Sequence, residues 1–411
     1  MVDRYPALVV RPNDAADVAA AVRFARDQDL VVAVRSGGHS IPGFSTCDGG
    51  IVVDLSRMRG ARVEGSTAHA NGGALLAELD DAAQASGLVC PVGVVSHTGA
   101  AGLTLGGGMG RLQRKHGLTI DNLLAVELVT ADARHVRASH DENADLFWGL
   151  RGAGANFGIA TSFEFRLHPL ASPITHGTVV HPIERSTELA GLFRELAEEG
   201  PDELWVSFGL GLDGREPVAA LTALHCGSPE DAERDLAKVR AFAPPLSGSI
   251  EVKSYLETQH LNDEAMEWGH RFYMKSAFLP AFPDELVGPA AEALSTVPEG
   301  ADGGLSVWAC GRAIAEVPEA ATAFAGRDAA YWPAVEIQWD DPALDDDCRE
   351  WVRRAMEVIQ PFASSGRYVN DVADPTDPRA IYGVEKYDRL VALKREWDPD
   401  NVFRLNQNVR P

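Results

Sequence analysis

The segment from Gly93 to Gly117, GVVSHTGAAGLTLGGGMGRLQRKHG, is the most unusual part of the chain and decides the interpretation of its fold. It holds eight glycines, three of them consecutive at Gly106, Gly107 and Gly108. Glycine has no Cβ, so the backbone at such positions can approach a ligand and direct successive N–H groups toward an anion. Tight turns in a β-rich region are the alternative explanation for this segment taken alone.

The glycine spacing does not match three well-known motifs. A dinucleotide fingerprint needs G-x-G-x-x-G at the start of a helix, and the glycine after Gly152 and Gly154 stands at 158, one position too far. The Walker loop GxxxxGK[ST] and the nucleophile elbow GxSxG are both absent from the sequence. The sequence therefore does not indicate a Rossmann, P-loop or α/β-hydrolase site.

Two further loops extend the glycine pattern along the chain. RSGGHS (35–40) follows the apolar segment LVVAV (30–34), so a glycine turn places His39 at the end of a strand. GLTIDN (117–122) closes the long glycine segment. Three glycine turns spread over about 80 residues suit a long, extended ligand that crosses several loops, whereas a compact phosphate would need only one.

Composition and charge limit the class of protein. The chain has 411 residues, with 37 Lys and Arg against 60 Asp and Glu, so its formal net charge is −23. A surface of this sign repels nucleic acid and acidic membranes. Apolar runs are shorter than the roughly 20 residues that a membrane span needs, and the first residues carry no apolar targeting segment. We therefore expect a cytoplasmic enzyme with no nucleic-acid or membrane partner.

The five cysteines indicate neither a disulfide framework nor a metal site. They are scattered, odd in number and form no CxxC pair. We expect no metal, and most of the five should be free structural thiols.

The first part of the chain predicts alternating strands and helices. A helix is expected over 14–28 behind a cap at Asn13 or Asp14, and another over 74–87 that ends at Gly87. The segment 123–139 predicts a hairpin that turns at Asp132.

Beyond a boundary near residue 170 the pattern changes to period two. Segments 271–279, 305–310 and 334–339 alternate apolar and polar residues, which predicts an antiparallel sheet with one covered face. The last segment predicts one amphipathic helix that ends before Pro399, with an apolar stripe formed by Val384, Tyr387, Leu390 and Val391.

Four motifs together carry a resemblance to a known family. They are VRSGGHS (34–40), GLTLGGGMGRLQRKHGLTIDNL (102–123), DLFWGLRGAGANFGIAT (145–161) and YVN (368–370) with the tail that follows it. With these motifs the chain resembles the berberine bridge enzyme-like FAD-linked oxidases of the vanillyl-alcohol oxidase superfamily. The resemblance covers nearly the whole chain.

The resemblance implies an α+β fold of two domains. A PCMH-type FAD-binding domain would comprise residues 1–170 and be completed by the tail, residues 366–411. An antiparallel-sheet substrate domain covered by helices would comprise residues 171–365.

The resemblance also implies how FAD is held. In such proteins the histidine of RSGGHS is bonded to the flavin 8α-methyl group, which here is His39. Many members add a bond from flavin C6 to a cysteine in a G-x-C-P segment, and Cys90 in GLVCPVG matches it. A single bond through His39 is the alternative. A covalent bond keeps the flavin oriented and raises its potential.

The other residues expected at FAD belong to the same motifs. They are Arg35, Ser36, Gly37, Gly38, Ser40, His97, Thr98, Gly99, Gly102, Leu103, Gly106, Gly107, Gly108, Gly110, Asn122, Gly154, Asn156, Gly158, Ile159, Tyr368, Asn370, Asn406 and Asn408.

Substrate oxidation needs a base for the proton next to the reacting C–H bond. Tyr368 is the first candidate, because the resemblance places its motif over the flavin, and Lys275 is expected to lower its pKa. Period two puts Tyr273 on the same face as Lys275, and Glu336 on the same face as Gln338. Tyr368, Glu336, Lys275 and Tyr273 are therefore the catalytic candidates.

The expected reaction transfers a hydride from a small alcohol, sugar or amine to flavin N5, and dioxygen then gives hydrogen peroxide. A secondary-metabolite flavoenzyme that cyclises or dehydrogenates its substrate with another acceptor is the alternative. A flavoprotein fold kept as a binding module is a third possibility. Val92, Gly93 or Val94 is expected to control oxygen access.

Overall fold

The computed structural model describes residues 2–170 and 173–411. Its strands are β1 (Leu8–Val10), β2 (Val32–Arg35), β3 (Ile51–Asp54), β4 (Ala61–Glu64), β5 (Thr67–Asn71), β6 (Leu88–Val89), β7 (Leu123–Val129), β8 (His135–Ser139), β9 (Ile159–Arg166), β10 (His168–Pro169), β11 (Ile174–Pro182), β12 (Leu204–Asp213), β13 (Glu216–His225), β14 (Ser247–Lys253), β15 (Arg271–Ser276), β16 (Ala301–Ala309) and β17 (Tyr331–Trp339).

The α-helices are α1 (Ala15–Asp27), α2 (Leu76–Gln84), α3 (Ala100–Gly106), α4 (Gln113–His116), α5 (Ala144–Ala153), α6 (Ser186–Glu199), α7 (Pro229–Asp235), α8 (Ala237–Phe242), α9 (Tyr255–Gln259), α10 (Val287–Ala293), α11 (Ala313–Glu316), α12 (Asp345–Glu357), α13 (Pro378–Tyr382) and α14 (Val384–Trp397).

The strands before residue 170 form two main sheets. The parallel sheet has the order β1-β3-β2, and the antiparallel sheet has the order β4-β5-β9-β7-β8. Helix α1 begins behind Asp14, whose side chain accepts a hydrogen bond from the backbone N–H of Asp17, so the expected cap is confirmed. Helix α2 and the hairpin β7–β8 also lie where the sequence predicts them.

A seven-stranded antiparallel sheet follows, with the order β14-β11-β13-β12-β16-β17-β15. The α+β class and the antiparallel sheet faced by helices are confirmed. The predicted boundary at 170/171 adjoins residues 171 and 172, which lie outside the described residues. In the part of the chain that is described, no helix is long and apolar enough to cross a membrane.

The two faces of this sheet have different neighbours. We call the face with Met274, Trp332 and Ala334 the inner face, because these residues pack with Met109 and Tyr368 from the glycine segment and the tail. The opposite, outer face packs against helices α6, α10 and α12; it carries Tyr273, Leu305, Val307, Val335 and Ile337.

The tail does not form the single helix that its sequence predicts. Gly383, with a φ of +78°, separates α13 from α14. Val384 is 63% exposed, so it does not belong to the buried stripe, which Leu393 and Lys394 complete instead. The tail then returns to the first part of the chain, as described below.

Candidate active site

The RSGGHS loop and the glycine segment meet at two glycines. A Cβ on Gly37 would lie 2.1 Å from the backbone nitrogen of Gly99, and a Cβ on Gly99 would lie 2.3 Å from the nitrogen of Gly37. Neither position can therefore carry a side chain without moving a backbone. This close approach places His39 beside the helix α3, which begins directly after Gly99.

Several polar groups near this junction are free to bind a ligand. Within the described residues, the backbone N–H groups of residues 37–41 donate no hydrogen bond. Gly102 is exposed, with no atom within 4 Å of the place that a Cβ would take. In the tail, the Oδ1 atoms of Asn406 and Asn408 are buried and accept no hydrogen bond from any described residue. The predicted residues thus offer donors, acceptors and open space for an extended ligand.

His39 and His97 form a hydrogen-bonded pair. His39 Nε2 lies 2.7 Å from His97 Nδ1, and His97 Nε2 lies 3.2 Å from the backbone oxygen of Asp263. Trp268 packs against both rings, with centroids 5.3 and 4.5 Å away. Burial, and then the neighbouring His97, lower the pKa of His39 to about 4, so its imidazole is neutral at pH 7.

Cys90 lies in a different environment from His39. Its side chain is fully buried in a large apolar cluster that includes Leu76, Leu79 and Ala101. Burial raises the pKa of its thiol well above the usual range, and the nearby Asp80 adds to this effect. All five cysteines are free and buried. Val92 and Gly93 are also buried, and Val94 is half-buried.

Tyr368 joins the tail to the glycine segment. Its hydroxyl oxygen accepts hydrogen bonds from the backbone N–H groups of Gly108 (3.1 Å) and Met109 (3.3 Å), and from Asn370 Nδ2 (3.0 Å). Asn370 Nδ2 also donates to Leu103 O at 3.2 Å. Gly106 and Gly107 permit this contact, because a Cβ on either would enter the side chains of Asn370 or Phe324.

The pKa of Tyr368 is not lowered, so that prediction is wrong. Burial raises the pKa to about 12, although the three N–H donors act in the opposite direction. Lys275 does not act on it. Instead, Lys275 Nζ lies 2.8 Å from Asp374 Oδ2, and the Tyr273 hydroxyl donates to the same oxygen at 2.6 Å. Both residues point to the outer face.

Glu336 points to the inner face. It pairs with Met274 on one neighbouring strand and Gly304 on the other, and it lies on the same face of β17 as Trp332 and Ala334. Burial raises its pKa to about 7, and Asp302 contributes to this shift. Glu336 and Gln338 share this face, as the alternation predicts.

The sequence analysis missed Asp371. Its Oδ2 accepts a hydrogen bond from Ser276 Oγ at 2.8 Å, and burial raises its pKa to about 7, with Glu336 among the contributing charges. The charge of Asp371 also acts on Tyr368. The only signal in the sequence was an acidic residue directly after YVN, inside a motif already placed at the site.

Other predicted cofactor residues serve the protein framework. Asn122 binds His116 O, Leu118 O and His168, so its side chain is fully used. Ser36 Oγ donates to Gly72 O, and Ser40 Oγ accepts from the Phe44 backbone N–H.

Three further predicted residues lie against core side chains. Gly154 packs on Leu105, Gly158 packs on Leu128, and Ile159 belongs to the cluster around α1. Arg35 is exposed at the end of β2, and Gly38 lies beside its guanidinium group. Thr98 and Gly110 belong to the glycine segment, where their backbone groups form hydrogen bonds with neighbouring residues of that segment.

Hydrogen bonds from a buried lysine and from the last residues attach the tail to the first part of the chain. Lys394 Nζ lies 2.6 Å from Asp398 Oδ2 and donates to Asn156 O and Phe403 O. The Val409 backbone N–H donates to Asn156 Oδ1 at 2.9 Å, and Asn406 Nδ2 donates to Ala155 O. Asn156 therefore holds the tail against the site.

Comparison with known proteins agrees with this geometry. The family model described as "FAD binding domain" matches residues 6–139, and the model "Berberine and berberine like" matches residues 368–410. (R)-6-hydroxynicotine oxidase of Paenarthrobacter nicotinovorans is 34% identical over 99% of this chain and 91% of its own. The chain belongs to the berberine bridge enzyme-like FAD-linked oxidoreductases.

Solved structures of this family share the fold. The crystal structure of 6-hydroxy-D-nicotine oxidase from Arthrobacter nicotinovorans superimposes with a TM-score of 0.91 at 31% identity, covering 99% of this chain and 93% of that one. Glucooligosaccharide oxidase from Acremonium strictum, described with a 6-S-cysteinyl, 8α-N1-histidyl FAD, has a TM-score of 0.88 at 26% identity, covering 100% and 93%.

This berberine bridge enzyme-like chain is thus an FAD-linked oxidoreductase with an FAD-binding domain. The residues present fit FAD: the free N–H groups of residues 37–41 suit a pyrophosphate, and the space over Gly102 suits a flat ring. Among the described residues, no group of three or more His, Cys, Asp or Glu side chains is arranged to hold a metal ion.

Proposed function

We propose that this protein is an oxidase with FAD bonded to His39, and that it oxidises a small amine at a carbon next to nitrogen. Residues 1–170 and 366–411 would hold FAD, and residues 171–365 would provide the sheet that covers the substrate. The observation that carries the proposal is the pair of carboxyls, Glu336 and Asp371, beside Tyr368 on the inner face.

His39 is suited to form the bond to FAD. Its Nε2 is engaged by His97, which leaves Nδ1 as the ring nitrogen available for the bond. A neutral imidazole keeps the lone pair that bond formation requires, and the low pKa of His39 ensures this state. The His97 ring fixes the orientation of His39.

Cys90 is poorly suited to form a second bond. It is fully buried among apolar side chains, and its thiol has a raised pKa, whereas the thiolate is the reactive form. We therefore assign the covalent attachment to His39 alone.

An amine fits the inner face better than a sugar or a simple alcohol. In the described chain, neither Glu336 nor Asp371 has a lysine or arginine partner, so a protonated amine would supply the missing positive charge. The inner face also carries three aromatic side chains, Trp332, Trp308 and Phe272, which pack with Met274 and Tyr368. Aromatic rings stabilise cations, so they favour a protonated amine. One relative is named for oxidation of (R)-6-hydroxynicotine.

Glu336 is the better base of the candidates. A pKa near 7 lets a carboxylate take the proton from an ammonium group at neutral pH, whereas Tyr368 would be protonated. The Tyr368 oxygen, fixed by three N–H donors, orients the substrate.

Bound FAD supplies the acceptor for the hydride, and dioxygen would then be reduced to hydrogen peroxide. The overall reaction removes two hydrogens from the amine: H–C–N–H plus O₂ gives the imine C=N plus H₂O₂.

Two measurements test the proposal. The intact mass of denatured wild type should exceed that of the chain by one FAD; Cys90→Ala should keep this increment and His39→Ala should lose it. A panel of secondary amines, primary alcohols and oligosaccharides should then release peroxide with amines only. Turnover of sugars alone would contradict the amine proposal, and reduction of dyes without peroxide would contradict the oxidase proposal.

A further inference from the structure

Arg111 is a buried cation that the proposed chemistry does not use. It follows Gly110 at the end of the glycine-rich backbone, and its residue surface is 6% exposed. Its Nη1 donates to Thr258 O at 3.3 Å and to Gln259 Oε1 at 3.5 Å, and its Nε has no hydrogen-bond partner in the part of the chain that the structure describes. Arg111 forms no ion pair with any carboxylate in residues 2–170 and 173–411.

A buried charge without an opposite charge is strongly unfavourable, so the surroundings of Arg111 need explanation. Gln259 connects it to one carboxyl, because Gln259 Nε2 donates to Asp80 Oδ2 at 3.1 Å. Burial raises the pKa of Asp80 to about 8, so this carboxyl is mostly neutral at pH 7. Asp80 therefore does not neutralise Arg111.

Two further polar side chains near Arg111 are buried without partners. His176 on β11 and Trp205 on β12 are each 3% exposed. Neither ring nitrogen of His176, nor Nε1 of Trp205, has a hydrogen-bond partner within the described structure. The two lie on the same sheet face, on either side of Leu224 in the strand register.

Arg111 and this part of the sheet are close together. After burial, the charge of Arg111 is the largest cause of the lowered pKa of His176. Trp205 packs in one apolar cluster with Tyr255, which lies on the same short helix α9 as the partners of Arg111. The glycine segment, α9 and the strands β11 and β12 therefore enclose a group of donors for which the described residues provide too few acceptors.

We propose that Arg111, His176 and Trp205 form a pocket for one small monovalent anion, a halide or a carboxylate. A guanidinium Nε–H, an indole N–H and an imidazole N–H are all donors, and such a set matches a ligand that only accepts hydrogen bonds. One unpaired cation matches one negative charge. The chain as a whole carries a formal net charge of −23, which repels anions. An anion is therefore held here by the buried donors and not by the overall charge of the protein.

The pocket and the amine site of the proposed function centre on different strands. Glu336 and Asp371 lie toward β15 and β17 at one edge of the sheet, whereas His176 lies on β11 near the other edge. Trp205 of the pocket packs edge-on against Trp308, with ring centroids 5.2 Å apart, so the two sites adjoin. Bromide binding and amine oxidation are separate measurements, so failure of one proposal can be distinguished from failure of the other.

Bromide is a suitable probe, because its anomalous scattering distinguishes it from water. Crystals of the FAD-loaded wild-type enzyme grown in sodium bromide should show an anomalous peak within about 3.5 Å of Arg111 Nε. The peak should be absent from Trp205→Phe, which keeps an aromatic ring but loses the N–H, and should remain in the control Trp351→Phe, which removes an indole N–H bonded to Ala293 O on the outer side of the sheet. Ordered water without an anomalous peak would overturn the proposal.

Thermal unfolding of the same holoenzymes gives a second measurement that needs no crystals. At constant ionic strength, bromide or acetate at ~100 times its dissociation constant should raise the wild-type midpoint by about 3 °C. Arg111→Gln should abolish this shift. Arg114→Gln, which removes a buried arginine already bonded to two carbonyls, should keep it. A response to acetate identifies a carboxylate site, and a response to bromide alone identifies a halide site. An equal shift in Arg111→Gln would contradict the pocket.

Discussion

The loops around His39 and the inner face of the sheet differ in what determines their geometry. The loops are fixed by backbone contacts, such as Gly37 against Gly99, which only a residue without a Cβ can make. The inner face is fixed by side-chain alternation along β15 and β17, and Glu336 and Tyr273 point in opposite directions because of it. Close backbone contacts require glycine, so the loops can be recognised in the sequence. Alternation along a strand shows which residues share a face, but it does not show which of the two faces forms the site.

The largest effect should come from the backbone contact. Gly37→Ala would place a Cβ 2.1 Å from the Gly99 nitrogen, so the two loops must separate. We expect the purified protein to contain less than about a tenth of the wild-type flavin, measured by absorbance at 450 nm. Gly191→Ala, in the middle of α6 where the nearest atom is 4.0 Å away, is the control and should be stabilised by up to about 1 kcal/mol. Normal flavin content in Gly37→Ala would show that the loops adapt.

Glu336→Gln should give the next largest effect. Removing the base should slow anaerobic flavin reduction by roughly 10³-fold while FAD stays bound. Because the raised pKa of Glu336 is about 7, the wild-type rate should rise with pH through 7 as the carboxylate forms, and the variant should lose this rise. Stopped-flow reduction between pH 5.5 and 9 provides the measurement. Gln338→Ala, on the same face, should keep the pH profile.

Asp371→Asn should change stability in a pH-dependent way. The folded chain holds the Asp371 proton up to about pH 7, whereas an unfolded aspartate releases it near 4, so the stabilising contribution is present below about pH 4 and is lost as pH rises through 7. At pH 8 the variant should therefore unfold about 5 °C above wild type, and only about 1 °C above it at pH 4.5. Asp213→Asn, at an exposed hairpin, is the control. A lower midpoint at pH 8 would mean that Asp371 is ionised and stabilising.

The smallest effect is expected at Lys275. Its ion pair with Asp374 is about one-third exposed on the outer face, so its contribution is small. Lys275→Met should lower stability by about 1 kcal/mol or less and change kcat/KM by less than about threefold with any accepted substrate. If Lys275→Met lowered the rate as much as Glu336→Gln does, Lys275 would be shown to take part in catalysis.

The comparison also explains how much the sequence could predict. Local signals were sufficient for α1, with its Asp14 cap, and for the hairpin at Asp132. The tail was predicted as one helix because the apolar spacing continues past Gly383, yet that residue adopts a φ of +78° and ends α13.

At the site, the glycine loops and YVN were found through motifs, whereas the roles of Lys275 and Tyr273 were assigned from alternation alone. Alternation shows that two residues share a face but not what covers that face. Here helices cover the outer face, and Asp374 from the tail binds both side chains. Asp371 was missed because its partner Ser276 is 95 residues away, so no local pattern connects them.

The contacts of Lys394 and Val409 with Asn156 join segments that are 238 and 253 residues apart in the sequence. Such contacts need both segments in one folded unit, so we expect truncation before Lys394 to loosen the region around Asn156 as well as to remove the end of α14. Limited proteolysis of the truncated chain should then show new cleavage near Asn156.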